Sequence, residues 1–372
     1  MRIRLSKELL AAPLAYFSAI VAALLLGAVF IVLFTDASPI SAYSEFFSQS
    51  FLSKYGILEV LSKSTPIMIA GAGMILAFRC GLWNLGAEGQ MAIGAIVSTA
   101  LGLYVGLPGY VLLPLIVLAS FAGGGVWSGI SGVLKVRFGV HEMLSTLMMN
   151  YIALKLLDYL INGPMSMDNP MYPRTSEILP QAQLPFLQYP LSVTFILAIL
   201  LVPAIWFLIN RTTFGYRLKA VGMGPRAARL AGMSIPALTL SIMALSGAIS
   251  ALAGTAMIVG DFFRMEKNVT GGYGFTAIVV VMMARSNIIA LPFVSIFVSG
   301  MLVGATSLTL VGIPATFSQI LIGLLLLCVV FASWLQKKLA RRWEARGTAD
   351  GQPPTHSAEQ RQSDAEVVEV SA

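Results

Sequence analysis

Phe78-Arg-Cys-Gly-Leu-Trp-Asn-Leu-Gly-Ala-Glu-Gly-Gln-Met91 joins two apolar runs, residues 58–79 and 85–106. Each run is long enough to cross about 30 Å of hydrocarbon as a helix rising 1.5 Å per residue. The junction holds three glycines, Gly81, Gly86 and Gly89, so the backbone breaks rather than turning in a plain hairpin. Irregular backbone at membrane depth is tolerated only where protein buries it or where it lines a cavity. Asn84, Glu88 and Gln90 stand at the break and carry the side-chain groups that can satisfy freed main-chain polar atoms.

Working outward, the same pattern recurs. An apolar run follows the N-terminal Met1–Lys7 and extends to Phe34, too long for a cleaved secretory signal. Further spans are expected at about 110–134, 142–161, 191–209, 237–260, 273–284, 288–310 and 315–335. The total is about ten, in an all-α polytopic membrane protein. The run 273–284 is too short to cross as a straight helix, so it either begins earlier, near Thr270, or is a half-helix buried in protein. Composition agrees: of 372 residues 57% are hydrophobic and 11% charged, too little charge to cover a soluble globule.

Ten spans place both termini on one side, and lysine and arginine identify it. Eighteen of these residues fall on the side of the termini, five on the other, and Lys155 lies within a span. The bias puts both termini in the cytoplasm and accounts for the net charge of +7 without nucleic acid. The outer side then carries two long segments, 36–57 and 162–190, the second stiffened by six prolines. Residues 1–336 are read as the transmembrane domain, and 337–372 as a cytoplasmic tail, first basic and then polar, aperiodic and disordered.

Catalytic chemistry is not legible. The chain has no Gly-Lys pair and so no phosphate-binding loop of the P-loop kind. No metal motif is present, the two histidines are His141 and His356, and Cys80 and Cys328 are not expected to pair. No catalytic or metal-binding residue is therefore assigned. Among the few polar groups at membrane depth, Asn150, Lys155 and Asp158 share the fifth span, and Lys155 and Asp158 are spaced to form an ion pair. The small-residue pairs Gly125/Gly129, Gly247/Ala251 and Ser250/Gly254 are spaced for close helix packing in lipid.

Three motifs carry a resemblance. Residues 78–91 closely resemble the Asn-[Ile/Leu]-Gly-Ala-Glu-Gly-Gln signature of permease subunits in ATP-binding-cassette (ABC) importers for nucleosides and simple sugars, with Trp83 and Leu85 where Phe and Ile are common. Residues 220–235, followed by Leu245–Gly254, resemble the coupling loop and next helix of the wider branched-chain amino acid, ribose and nucleoside class. Residues 271–281, with Asn287 and Gly312-Ile-Pro314, match its late segments.

The resemblance implies a permease moving a nucleoside or simple sugar across the bacterial cytoplasmic (inner) membrane, with an inverted repeat of spans 2–5 and 7–10. It implies a lipid environment and three partners: a cytoplasmic ABC ATPase, a second homologous permease in a heterodimer, and an extracytoplasmic substrate-binding protein. ATP and Mg would bind the ATPase, and no cofactor this chain. Trp83, Asn84, Glu88 and Gln90 would then line the pathway or support the break; Glu88 either braces the fold or touches substrate. The short helix Pro225, Arg226, Ala227, Ala228, Arg229 and Leu230, closed by Gly232, would dock on the ATPase, its alanines slim enough to enter a groove. The alternative function is an ion-coupled secondary transporter of a small polar solute.

Overall fold

A computed structural model describes residues 38–167 and 172–313 continuously, with isolated positions at 25, 27–29, 31–33 and 323. The first and tenth expected spans, but for those positions, and the tail from 337 onward lie outside the described residues, as do the 336/337 boundary and Cys328. The chain divides into two compact units. One comprises Met1–Phe34 and Gly323–Ala372, of which only single helical positions are described. The other is Thr35–Ile322.

Its helices are α1 (Pro39–Phe47), α2 (Lys54–Arg79), α3 (Ala87–Tyr104), α4 (Gly109–Phe138), α5 (Glu142–Asn162), α6 (Thr194–Arg211), α7 (Thr213–Met223), α8 (Pro225–Leu230), α9 (Ile235–Met257), α10 (Tyr273–Met283) and α11 (Leu291–Ser307). All eight expected spans within the described residues correspond to helices. Among the described residues six stretches are long and apolar enough to cross a membrane: α2, α4, α5, α6, α9 extended to Phe262, and α11 extended to Leu310. The protein is thus a polytopic, helical membrane protein.

Two helices form the centre. In α2 and in extended α9, 83% of the apolar window is buried within the chain. They run antiparallel: Ser62 Oγ lies 3.5 Å from Asp261 Oδ1, and Ser250 Oγ 3.5 Å from the Ala70 carbonyl. Around them the packing is two-sided. Helix α9 also packs on α3 and α4, while α2 packs on α10 and α11.

Small residues make these contacts possible, because lipid gives no hydrophobic drive for helices to associate and close backbone approach must supply dispersion instead. A side-chain carbon on Gly94 would overlap the Ala251 carbonyl, and one on Gly254 the Met91 carbonyl. The α4 contact is one residue out of step with the sequence reading. Gly124 and Ser128, not Gly125 and Gly129, face Gly247, and Ser128 Oγ donates to the Met243 carbonyl at 2.7 Å.

Segment 36–57 is largely helical: Pro39 occupies the first turn of α1, a π-helical turn follows at Ser48–Leu52, and α2 already begins at Lys54, capped by Ser53 Oγ on the Gly56 N–H at 2.9 Å. Two local expectations need correction. The all-α class admits a small antiparallel hairpin, β1 (Phe186–Gln188) with β2 (Leu191–Ser192), in the proline-rich segment where helix is excluded. That segment is tied down by main-chain bonds from Ile178 to Phe263 and from Leu184 to Val259, both 2.7 Å. Finally, the basic loop 210–236 contains a whole helix, α7, whose start is capped by Thr212 Oγ1 on the Gly215 N–H at 3.1 Å.

Candidate functional site

The site begins where α2 stops. Gly81 adopts φ +78°, a left-handed conformation that costs glycine nothing, and the Leu82 N–H closes the helix on the Ala77 carbonyl at 2.9 Å. Residues 82–86 then run without secondary structure until α3 starts at Ala87. Most of this stretch is buried, so its polar main chain needs partners.

Helix α5 supplies them. Glu142, Thr146 and Asn150 recur every fourth residue and therefore line one helix face. Glu142 Oε1 accepts from the Trp83 N–H at 3.4 Å, and Thr146 Oγ1 from the Leu85 N–H at 3.2 Å. Asn150 donates from Nδ2 to the Leu85 carbonyl at 2.9 Å and accepts the Gly89 N–H on Oδ1 at 2.8 Å. Glu142 is itself held by Lys135 on α4, Nζ to Oε2 2.5 Å. A side-chain carbon on Gly89 would sit 2.7 Å from the Asn150 Cα, so glycine is needed there for the ladder to close.

Across the break the expected polar residues do meet. Asn84 Oδ1 accepts from the Gly86 N–H and from Gln90 Nε2, both at 3.0 Å, while Asn84 Nδ2 reaches Ser246 Oγ of central α9 at 2.8 Å. Asn84 and Gln90 are 0% and 1% exposed, and both amides are held in the buried network.

Glu88 is 2% exposed and behaves differently from the sequence reading. It does not satisfy its own break but reaches a second one. Oε1 accepts from Thr270 Oγ1 at 2.6 Å and from the Gly272 N–H at 3.1 Å; Oε2 accepts from the Gly274 N–H at 2.7 Å. Gly272 is the N-cap of α10, and Glu88 lies in the first turn of α3. One carboxyl group therefore joins the N-termini of two interrupted helices, where both macrodipoles favour an acceptor. The fit is close: a side-chain carbon on Gly274 would overlap the Glu88 main chain.

Trp83 does not join this network through its side chain. Trp83 is 40% exposed and its ring packs at a tilt on Phe78, with centroids 5.1 Å apart. Lys155 and Asp158 do pair, at 3.4 Å, but on the outer face of α5 with side chains 81% and 32% exposed. Glu142, Thr146, Asn150 and Thr270 were not assigned to the site from sequence. The first three could have been found from their four-residue spacing on an apolar helix; nothing in the sequence marks Thr270. Among the described residues no group of three or more His, Cys, Asp or Glu is placed to hold a metal ion.

The second expected site is the short helix α8, which follows α7 directly. Pro225 starts α8, and Gly232 at φ +78° ends it, with the Met233 N–H returning to the Ala228 carbonyl at 3.1 Å. Ala228 is corrected: it is 4% exposed and packs inward, so it cannot be on a docking face. Leu230 and Met223 are 90% and 85% exposed instead, with Arg226, Ala227 and Arg229 also outward.

Comparison with known proteins places this architecture. The family described as "Branched-chain amino acid transport system / permease component" matches residues 56–330. The chain is 31% identical to a glucose ABC transporter permease protein of Haloferax volcanii, covering 86% of this chain and 87% of that one. It is 33% identical to a guanosine ABC transporter permease protein of Bacillus subtilis, over 84% and 91% of the two chains. A second guanosine ABC transporter permease protein of the same organism is 27% identical over 60% and 72%. With the family match spanning most of the chain and both broken helices, this protein belongs to the branched-chain amino acid transport system permease-component family and is a membrane permease subunit of an ABC transporter.

Proposed function

We propose that this permease carries a nucleoside or simple sugar inward across the cytoplasmic membrane. Relatives named for guanosine and for glucose support that substrate class. A cytoplasmic ATPase, holding ATP and Mg, drives transport, and an extracytoplasmic binding protein delivers the solute. The second permease is a different chain; the two similar guanosine permeases of one organism support a heterodimer.

The chain crosses ten times with both termini cytoplasmic. Arg79, Lys135, Arg137 and Arg211 in the last turns of α2, α4 and α6, and Arg285 just past α10, support this orientation. An inverted repeat relates α2–α5 to the part of the chain from α9 onward, in keeping with the antiparallel central pair and its two-sided packing. Residues 225–232 form the element that engages the ATPase.

The observation that carries the reading is the Glu88 junction. It ties the start of α3 to the start of α10, so the two interrupted helices move together as the bundle changes access. Glu88 is on this reading a brace, since both carboxylate oxygens accept from donors of the second break. The test is reconstitution in liposomes with the ATPase, second permease and binding protein, using labelled nucleosides and sugars. ATP-dependent accumulation is expected from the complete complex and none from the lone chain. Accumulation by the lone chain under an ion gradient would overturn the reading.

A further inference from the structure

Arg79 is the last residue of α2 and touches three parts of the protein at once. Its main chain lies directly under α7: a side-chain carbon on Gly222 would overlap the Arg79 carbonyl oxygen and stand 3.2 Å from the Cys80 Cα. Its guanidinium crosses to the other interrupted helix, Nε donating to the Ser286 carbonyl at 2.8 Å. Ser286 lies just beyond the end of α10, in a turn where Arg285 and Ser286 both take positive φ, 51° and 53°. Two successive non-glycine residues in that region are strained and persist only where their surroundings hold them. Two residues past Arg79, Gly81 opens the break that leads into α3.

We propose that Arg79 is the positioning residue through which movement of α7 and α8 reaches both interrupted helices. The proposal rests on the reading of α8 as the ATPase-coupling element. The route is short and made of stiff parts. A shift of α7 presses on the Arg79 carbonyl through Gly222, where no side chain intervenes to absorb it. The Arg79 main chain passes the shift to the break before α3. Its guanidinium, a planar donor with fixed geometry, passes the same shift to the turn after α10. Glu88 joins the start of α3 to the start of α10, so α10 is held at both of its ends and α3 at the end where the break enters it.

The experiment measures solute taken up per ATP hydrolysed by the reconstituted complex, for Arg79→Ala, Arg79→Lys and Gly222→Ala. A purely structural role would lower abundance and both activities together. The proposal instead expects hydrolysis to continue while uptake per ATP falls roughly ten-fold in Arg79→Ala, the scale of one lost charge-assisted hydrogen bond. Arg79→Lys, which keeps a donor, is expected to recover part of that loss. Because the two contacts act in series, Gly222→Ala combined with Arg79→Ala should be no worse than the poorer single variant. Should Arg79→Ala fail to assemble, Gly222→Ala and Arg79→Lys carry the same measurement. Unchanged uptake per ATP in these variants, with a loss in Leu230→Asp, would overturn the route through Arg79 and leave the coupling role of α8 standing. An unchanged ratio in Leu230→Asp as well would overturn both.

Discussion

Removing the Glu88 carboxyl group should loosen the junction between α3 and α10 more than any other single truncation in the site. In Glu88→Ala three donors lose their acceptor: the Thr270 hydroxyl and the Gly272 and Gly274 N–H groups. Each buried, unpaired donor costs about 1–3 kcal/mol, so the upper bound is about 3–9 kcal/mol before the segment relaxes. Glu88→Gln separates the contributions. Its amide oxygen can keep the Thr270 and Gly272 bonds, but its NH2 then faces the Gly274 N–H, donor against donor. One bond is lost rather than three, about 1–3 kcal/mol. The shift per kcal/mol falls with chain length, to roughly 2–4 °C at 150–250 residues, so in this longer chain Glu88→Gln should lower the thermal midpoint by about 2 °C or more and Glu88→Ala by at least about twice as much. The assay is size-exclusion chromatography of the detergent-solubilised protein after a temperature series, beside membrane abundance and uptake. A wild-type midpoint and wild-type uptake in Glu88→Ala would refute the argument, because three buried donors cannot lose their acceptor without cost.

Asn150→Leu keeps the side-chain volume but removes the partner of the Leu85 carbonyl and the Gly89 N–H, and should destabilise by about 2–6 kcal/mol, read by the same heating series. Replacing Lys155 and Asp158 together with alanine should change the midpoint far less than Glu88→Ala does, since both members of the pair go together and no lone charge remains. Leu230→Asp places a charge on the outermost apolar side chain of α8, and should abolish co-purification with the ATPase while leaving the thermal midpoint of the isolated chain unchanged.

The spans were legible because their signal is local: a helix in hydrocarbon satisfies its own backbone, so an apolar run of sufficient length declares itself wherever it lies. The break after Arg79 was legible for a related reason. Gly81, Gly86 and Gly89 cannot belong to a stable uninterrupted helix without purpose, and Asn84 and Gln90 close on each other over six residues of the same segment. The bounds of α8 were likewise local, set by Pro225 and Gly232.

The partners of these elements were not local. Glu88 finds Thr270, Gly272 and Gly274 more than 180 residues away, and nothing in its own neighbourhood distinguishes a brace across the bundle from a cap on its own helix. The register of α4 on α9 differs by one residue between Gly125/Gly129 and Gly124/Ser128, because a run of three glycines at 123–125 offers several small-residue stripes and only the facing Gly247 selects among them. Ala228 shows the same limit at the surface: a six-residue helix has no periodicity long enough to reveal which side it buries. Where the long apolar helices of the described residues lie, and where the chain breaks after Arg79, is written locally, since the polar backbone enforces both residue by residue. Which broken end meets which was decided only by tertiary packing, because a hydrogen-bond acceptor carries no record of the donor it will meet.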